Sequence, residues 1–164
     1  LTFDSTQKVD MLYRIGRAHD EKLGDRAGAQ ERFRAALDLD PTHLPSLAAL
    51  RQIALDTADW YDAAQLLEQE QTHTQTPRQR AKLLVELGRL REEMLGEHEQ
   101  AIAAFEAAIE ADPENEEAAA PLADEYVAKE AYERAEPLLD LLTRRAAKKD
   151  KAEQHRLFGM FGNV

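Results

Sequence analysis

Cysteine is missing from this chain altogether. No disulfide, thiolate nucleophile or cysteine-based metal site can be built from it. Aromatic residues make up only 6%, so alanine and leucine, both strong helix formers, supply most of the apolar surface. No apolar run approaches the roughly 20 residues that a membrane-spanning helix needs. Positive charge is also short: 21 Lys and Arg stand against 32 Asp and Glu, a formal net charge of −11. Binding to a phosphate backbone draws on clustered cations. The balance speaks against a nucleic-acid partner and against an anionic membrane surface.

Glycine and proline are few, but they recur at a fixed distance. Gly16 and Gly88, Gly24 and Gly96, Phe33 and Phe105, and Pro41 and Pro113 are each 72 residues apart. Leu12/Leu84, Ala29/Ala101, Leu50/Leu122, Ala63/Ala135 and Leu67/Leu139 keep the same offset without a gap. Such a period marks a solenoid, in which small units bury their apolar faces only against one another.

The offset divides in two. Leu12, Ile15, Gly16 and His19 share one helical stripe. Gly24 then suits the left-handed residue that ends a helix. Ala29, Phe33, Ala36 and Leu37 form the stripe of a second helix, and Pro41 stops it. A second helix pair fits before Pro77, and both pairs then repeat. The units are expected at about 5–41, 42–76, 77–113 and 114–148, with a partial unit or C-terminal helix over 149–164.

These residues resemble the tetratricopeptide repeat family. Its signature is a large residue, Leu-Gly and Tyr on helix A, then Ala-x3-Phe and a later Pro on helix B. Unit one reads Leu12-x2-Ile15-Gly16-x2-His19, Ala29-x3-Phe33, Pro41. Unit three reads Leu84-x2-Leu87-Gly88-x2-Arg91, Ala101-x3-Phe105, Pro113. Units two and four are degenerate: Leu50-Arg51 with Ala63-x3-Leu67, and Leu122-Ala123-x2-Tyr126 with Ala135-x3-Leu139. The resemblance implies an all-α, right-handed superhelical solenoid of antiparallel helix pairs, four pairs plus a partial fifth helix. It implies that Gly16, Gly88 and Ala123 let the two helices of a pair approach. It also implies that Phe33, Leu67, Phe105 and Leu139 fill the gap to the next unit.

Two features depart from the family pattern. Gly16 to Ala29 and Gly88 to Ala101 are each one residue longer than usual, which predicts a slightly longer helix A in the odd units. Pro121 and Pro137 fall inside helices of unit four. Each removes a backbone hydrogen bond, so those helices are expected to start late or to kink.

The resemblance also implies that helix A side chains line a concave wall. Candidate partner-binding residues are Tyr13, Arg14, Arg17, Gln52, Glu86 and Arg89. Arg17 and Arg89 hold equivalent places and suit an extended peptide or short helix bearing carboxylates. Some family members grip a C-terminal carboxylate with Lys and Asn. Here Tyr13, Arg17, Ala49 and Glu86 stand at those places and only Lys82 matches, so that activity is not expected.

Nothing points to catalysis, a cofactor or a metal. The histidines His19, His43, His73, His98 and His155 lack ligand spacing, and His19 is expected to be structural. The acidic runs read as solvated faces and helix N-termini. No phosphate-binding glycine loop or nucleophile elbow occurs. Trp60 and Tyr132 are expected to be at least partly buried. Arg144, Arg145, Lys148, Lys149, Lys151 and Arg156 form the single basic cluster, expected to complement a helix C-terminus. Leu157, Phe158, Met160 and Phe161 form an apolar tip through which copies could associate.

The expected function is that of a protein–protein interaction scaffold or adaptor binding a peptide or helix. The alternative is a regulatory or substrate-docking domain of a larger enzyme. A helical-repeat RNA binder fits the charge poorly. The chain begins at Leu1 without a leader, so it is expected to be a piece of a longer protein, and its compartment stays open. Truncating Phe105 to Ala is expected to cost about 3–5 kcal/mol. Because units stabilise their neighbours, hydrogen exchange should then rise first in the C-terminal pairs; a uniform rise would contradict the repeat picture.

Overall fold

A computed structural model describes the backbone of residues 4–161 and the side chains of residues 4–151. Among the described residues there are eight α-helices and no strand. In order they are α1 (Ser5–Ala18), α2 (Arg26–Leu39), α3 (Leu44–Asp56), α4 (Trp60–His73), α5 (Pro77–Leu90), α6 (His98–Ala111), α7 (Glu116–Ala128) and α8 (Tyr132–Phe161). They pack as the hairpins α1–α2, α3–α4, α5–α6 and α7–α8, and each hairpin leans on the next. The solenoid expected from the repeats is the observed fold.

Local chemistry sets the ends of the helices. Asp4 and Gln7 form a reciprocal capping box on α1. Asp25, Asp59 and Asn115 each accept a hydrogen bond from the backbone N–H three residues on, at the starts of α2, α4 and α7. The longer spacing of the odd units takes a specific form. Residues His19–Leu23 and Arg91–Leu95 make a π-helical turn continuous with α1 and α5. One extra residue widens the last turn, and Gly24 and Gly96, at φ +64° and +68°, then reverse the chain. The even units make the same reversal without glycine: Ala58 and Glu130, again 72 apart, both sit at φ 57°. A left-handed residue with a Cβ costs roughly 1–2 kcal/mol.

The close approach within each odd hairpin is direct. A Cβ built on Gly16 would lie 2.6 Å from the Phe33 ring, and one on Gly88 would lie 2.6 Å from the Phe105 ring. The even units solve the same contact with different residues. In unit two Arg51 replaces the glycine, the shorter Leu67 replaces the phenylalanine, and Glu70 takes the place of Ala36. Arg51 Nε donates to Glu70 Oε2 at 2.8 Å, and its Nη1 reaches Glu86 Oε1 at 2.7 Å. One guanidinium thereby joins α3, α4 and α5. Two apolar clusters run through the stack, and both use α5: Leu87 and Leu90 belong to one, Ala81, Leu84 and Val85 to the other.

The ends of the stack correct several expectations. Leu139 fills no gap and is 44% exposed, because no unit among the described residues packs over it. Ile15, placed by its spacing on the packing stripe, is 40% exposed for the same reason at the other end. Tyr132 is exposed, whereas its equivalent Trp60 packs partly buried against the first cluster. No separate fifth helix starts at 149; α8 continues unbroken to Phe161. Pro121 and Pro137 lie inside α7 and α8, which start ahead of them rather than late. The side chains of the apolar tip, His155 and Arg156 lie outside the described residues.

An exposed Gly→Ala change in a helix gains about 1 kcal/mol. Gly88→Ala should instead lose about 1–3 kcal/mol, because the new methyl meets a buried ring that has no room to retreat. Denaturant titration of Gly88→Ala, Phe105→Leu and the double variant should be non-additive, since the shorter Leu makes the space that Ala needs.

Candidate functional site

Sequence reasoning offered Arg17 and Arg89 as free cationic forks on one wall. Both guanidiniums are already held by the chain's own carboxylates. Arg17 Nε donates to Glu21 Oε1 at 2.7 Å, one turn on, and its Nη1 donates to the Tyr13 hydroxyl at 3.0 Å. Arg89 Nη2 donates to Glu117 Oε2 at 2.8 Å and so ties α5 to α7. The difference is written in the repeat. Glu117 is replaced at its first-block equivalent by Pro45, so Arg17 has no acid across the groove and turns back on its own helix.

The remaining candidates scatter. Tyr13 is half-buried between Phe33 and His43, at ring distances of 5.7 and 5.5 Å. Gln52 donates to Asp56 at 2.8 Å on its own helix. Glu86 is taken by Arg51. Arg14 stands outermost, 3.9 Å from Asp10. Among the described residues a hydrogen bond joins two of the six, Tyr13 and Arg17, and Glu86 and Arg89 line one hollow.

A concave feature forms on both sides of the Arg89–Glu117 bridge. On one side a hollow of about 600 Å³ opens between the end of α5, the start of α6 and α7. Ile102, Phe105, Ala120 and Pro121 supply apolar lining, while Glu92, Glu93, Asp124 and Glu125 supply acid. On the other side a hollow of about 440 Å³ is lined by Lys82, Val85, Glu86 and Asn115. In the larger one His98 stands between two carboxylates. Its Nδ1 lies 2.8 Å from Glu92 and its Nε2 3.1 Å from Glu125. Hydrogen bonding to Glu92, then to Glu125, raises the imidazole above its ordinary pKa of 6.5. Lys129 also grips Glu125, at 2.6 Å, and with His98 holds that carboxyl below the usual range. Glu93 and Asp124 line the hollow with no ion pair among the described residues.

The first block keeps acids at Asp20 and Glu21, the equivalents of Glu92 and Glu93, but lacks those on the α7 side. Asp124 becomes Gln52, Glu125 becomes Ile53 and His98 becomes Arg26, which pairs with Asp56 at 3.1 Å. Glu93 and Asp124 were legible only as two acids among many. Their association depends on the fold bringing α5 beside α7.

The basic cluster also finds an internal use. α8 does not end near 148, so these cations serve no helix C-terminus there. Arg145 reaches Glu114 at 2.6 Å and Lys149 reaches Glu116 at 2.7 Å, neutralising acids at the start of α7. Lys149 holds the Glu116 carboxyl below its usual range. Behind the hollow, Tyr126 donates to Glu106 at 2.6 Å beneath Arg134; burial, then Glu106, pushes its phenol up to about 12. His19 lies 2.8 Å from Asp25, a partner within its own turn.

Residues 94–158 match one tetratricopeptide repeat family model, and residues 9–43 match another. No curated protein matches the sequence. Solved structures of similar shape include MamA 41-end from Desulfovibrio magneticus RS-1, at 24% identity and TM-score 0.54 over 87% of this chain and 77% of that one. A second MamA crystal structure shares 20% identity, with TM-score 0.58 over 89% and 81%. The N-terminal domain of stress-induced protein-1 from C. elegans shares 15%, with TM-score 0.57 over 68% and 89%. At these identities the likeness carries the fold alone.

The two carboxylates make His98 pH-sensitive. A raised folded-state pKa contributes stability in full below the unfolded value near 6.5 and loses it as pH rises through the folded value. An NMR titration should place His98 above 6.5, and Glu92→Gln should bring it down; an unshifted midpoint in both proteins would contradict the contact.

Proposed function

The chain belongs to the tetratricopeptide repeat family, and on that premise we propose that it is an interaction scaffold whose groove between α5 and α7 receives a basic segment of a partner protein. The family fold supports the scaffold reading. The observation that carries the ligand class is the larger hollow, which combines an apolar floor with two rim acids, Glu93 and Asp124, that make no ion pair among the described residues. The apolar floor at Ile102, Phe105 and Pro121 suits aliphatic side-chain stems. Glu93 and Asp124 suit a Lys or Arg head carried on such a stem. Arg89 does not solicit a carboxylate, because Glu117 occupies it. Its bridge with Glu117 instead lines two adjoining hollows of the groove. The ligand charge favoured here is the opposite of the carboxylate that the arginines alone called for.

The net charge of −11 adds long-range attraction for a cationic partner, which salt weakens. Calorimetric titration with an amphipathic Lys/Leu peptide and its Glu/Leu counterpart tests the proposal. The Lys peptide should bind and lose affinity with added salt, and the Glu peptide should not bind. Glu93→Lys with Asp124→Lys should weaken binding by about tenfold or more, on the scale of a few kcal/mol for close charge pairs. Gln52→Lys, at the equivalent first-block position, should leave it unchanged. Tighter binding of the Glu peptide, or indifference to the double reversal, would overturn the assignment.

A further inference from the structure

The 72-residue offset makes α5 the equivalent of α1 and α8 the equivalent of α4. Inside the chain, α4 packs on α5, and that junction closes. Leu67 of α4 is fully buried there and Leu87 of α5 is 3% exposed. Their equivalents are Leu139 of α8, 44% exposed, and Ile15 of α1, 40% exposed. Met11, the equivalent of the partly buried Leu83, is exposed as well. Among the described residues one apolar contact is closed in the middle of the stack, and the two separated halves of the same contact are open at its two ends.

We propose that copies of this chain associate head to tail, with α8 of one copy seated on α1 of the next as α4 is seated on α5. The polar edge of the junction supports the same docking. Arg91, in the π-helical turn that continues α5, pairs with Glu68 of α4, and Arg80 Nε donates to Gln71 at 3.1 Å. In the junction between copies these become His19, whose Nδ1 meets Asp25 and leaves its Nε2 for the partner, facing Asp140, and Lys8 facing Thr143. The basic group stays on the head and its acceptor on the tail. The charged triad of Arg51, Glu70 and Glu86 becomes Ala123, Leu142 and Arg14. The contact between copies is thus more apolar than the internal one, and Arg14 is long and exposed enough to remain at its rim.

Such a contact joins two different patches, so it builds an open chain of copies instead of a closed dimer. Each copy carries −11. Like charge opposes the approach, and salt screens it, so association strengthens as ionic strength rises. That is the reverse of the salt dependence of the peptide groove, and it does not rest on the groove reading.

Sedimentation velocity of the full chain over a concentration series, at low and raised salt, reads the effect. The parent should shift from monomer to larger species with concentration, and further with salt. Ile15→Glu removes the head and Leu139→Glu removes the tail, so each variant alone should stay monomeric. Their equimolar mixture keeps one intact tail and one intact head, and it should form a heterodimer and nothing larger. Both positions are exposed, so circular dichroism and thermal midpoints should match the parent and exclude misfolding. A parent that stays monomeric under all conditions, a single variant that still associates, or a mixture that stays monomeric would each overturn the proposal.

Discussion

The rest of the stack depends on a ring lying against bare backbone. Phe33 over Gly16 and Phe105 over Gly88 leave no space for even one methyl group, and that closeness sets how the two helices of an odd hairpin cross. Everything beyond the hairpin inherits the geometry. Ala29 and Ala101 are fully buried because the helices are near. α5 and α7, the first helices of adjoining hairpins, come within reach of one arginine. The degenerate units confirm the constraint by how they escape it. Where Arg51 occupies the glycine place, the ring shrinks to Leu67 and an acid appears at Glu70 to receive the guanidinium. The three changes make sense together and would be destabilising singly, since a buried Glu70 without its partner is costly.

Much of this was legible in the amino-acid order. Steric signals are local and periodic, so Gly16, Ala29, Phe33 and Pro41 announce a helix pair, and the 72-residue offset announces its copies. The extra residue before Ala29 and Ala101 was countable, although its form as a π-helical turn was not. Spacing alone does not distinguish a longer helix from a wider turn. The ends of the described stack differ from the pattern because spacing marks which residues a neighbour would bury, not which of them a described unit covers. Ile15 and Leu139 obey the same spacing as Leu87 and Leu67, yet only the inner two are covered.

The groove was the least legible part. Charged side chains are long, and each has several acids within reach, so their pairing is decided by the packed helices and not by the register. Arg17 and Arg89 are equivalent in sequence, yet one closes on its own helix and the other crosses to the next hairpin. The deciding residue, Glu117 in place of Pro45, lies 28 positions from Arg89. The hollow that follows from this bridge contains residues that no motif singles out. It is asymmetric between two blocks that are otherwise near copies, so the second block is functionally distinct from the first while sharing its frame.

The sharing of α5 between both apolar clusters bears on how the stack yields under load. The sequence divides most naturally between α4 and α5, where one duplicated block meets the other. Yet that is where the two clusters meet on a single helix, with Arg51 and Arg91 fastening it to α3 and α4. The junctions α2–α3 and α6–α7, inside the blocks, are more sparingly packed. A stretching force applied along the solenoid therefore meets its weakest joints within the copies. The boundary between the copies is the spring's stiffest turn.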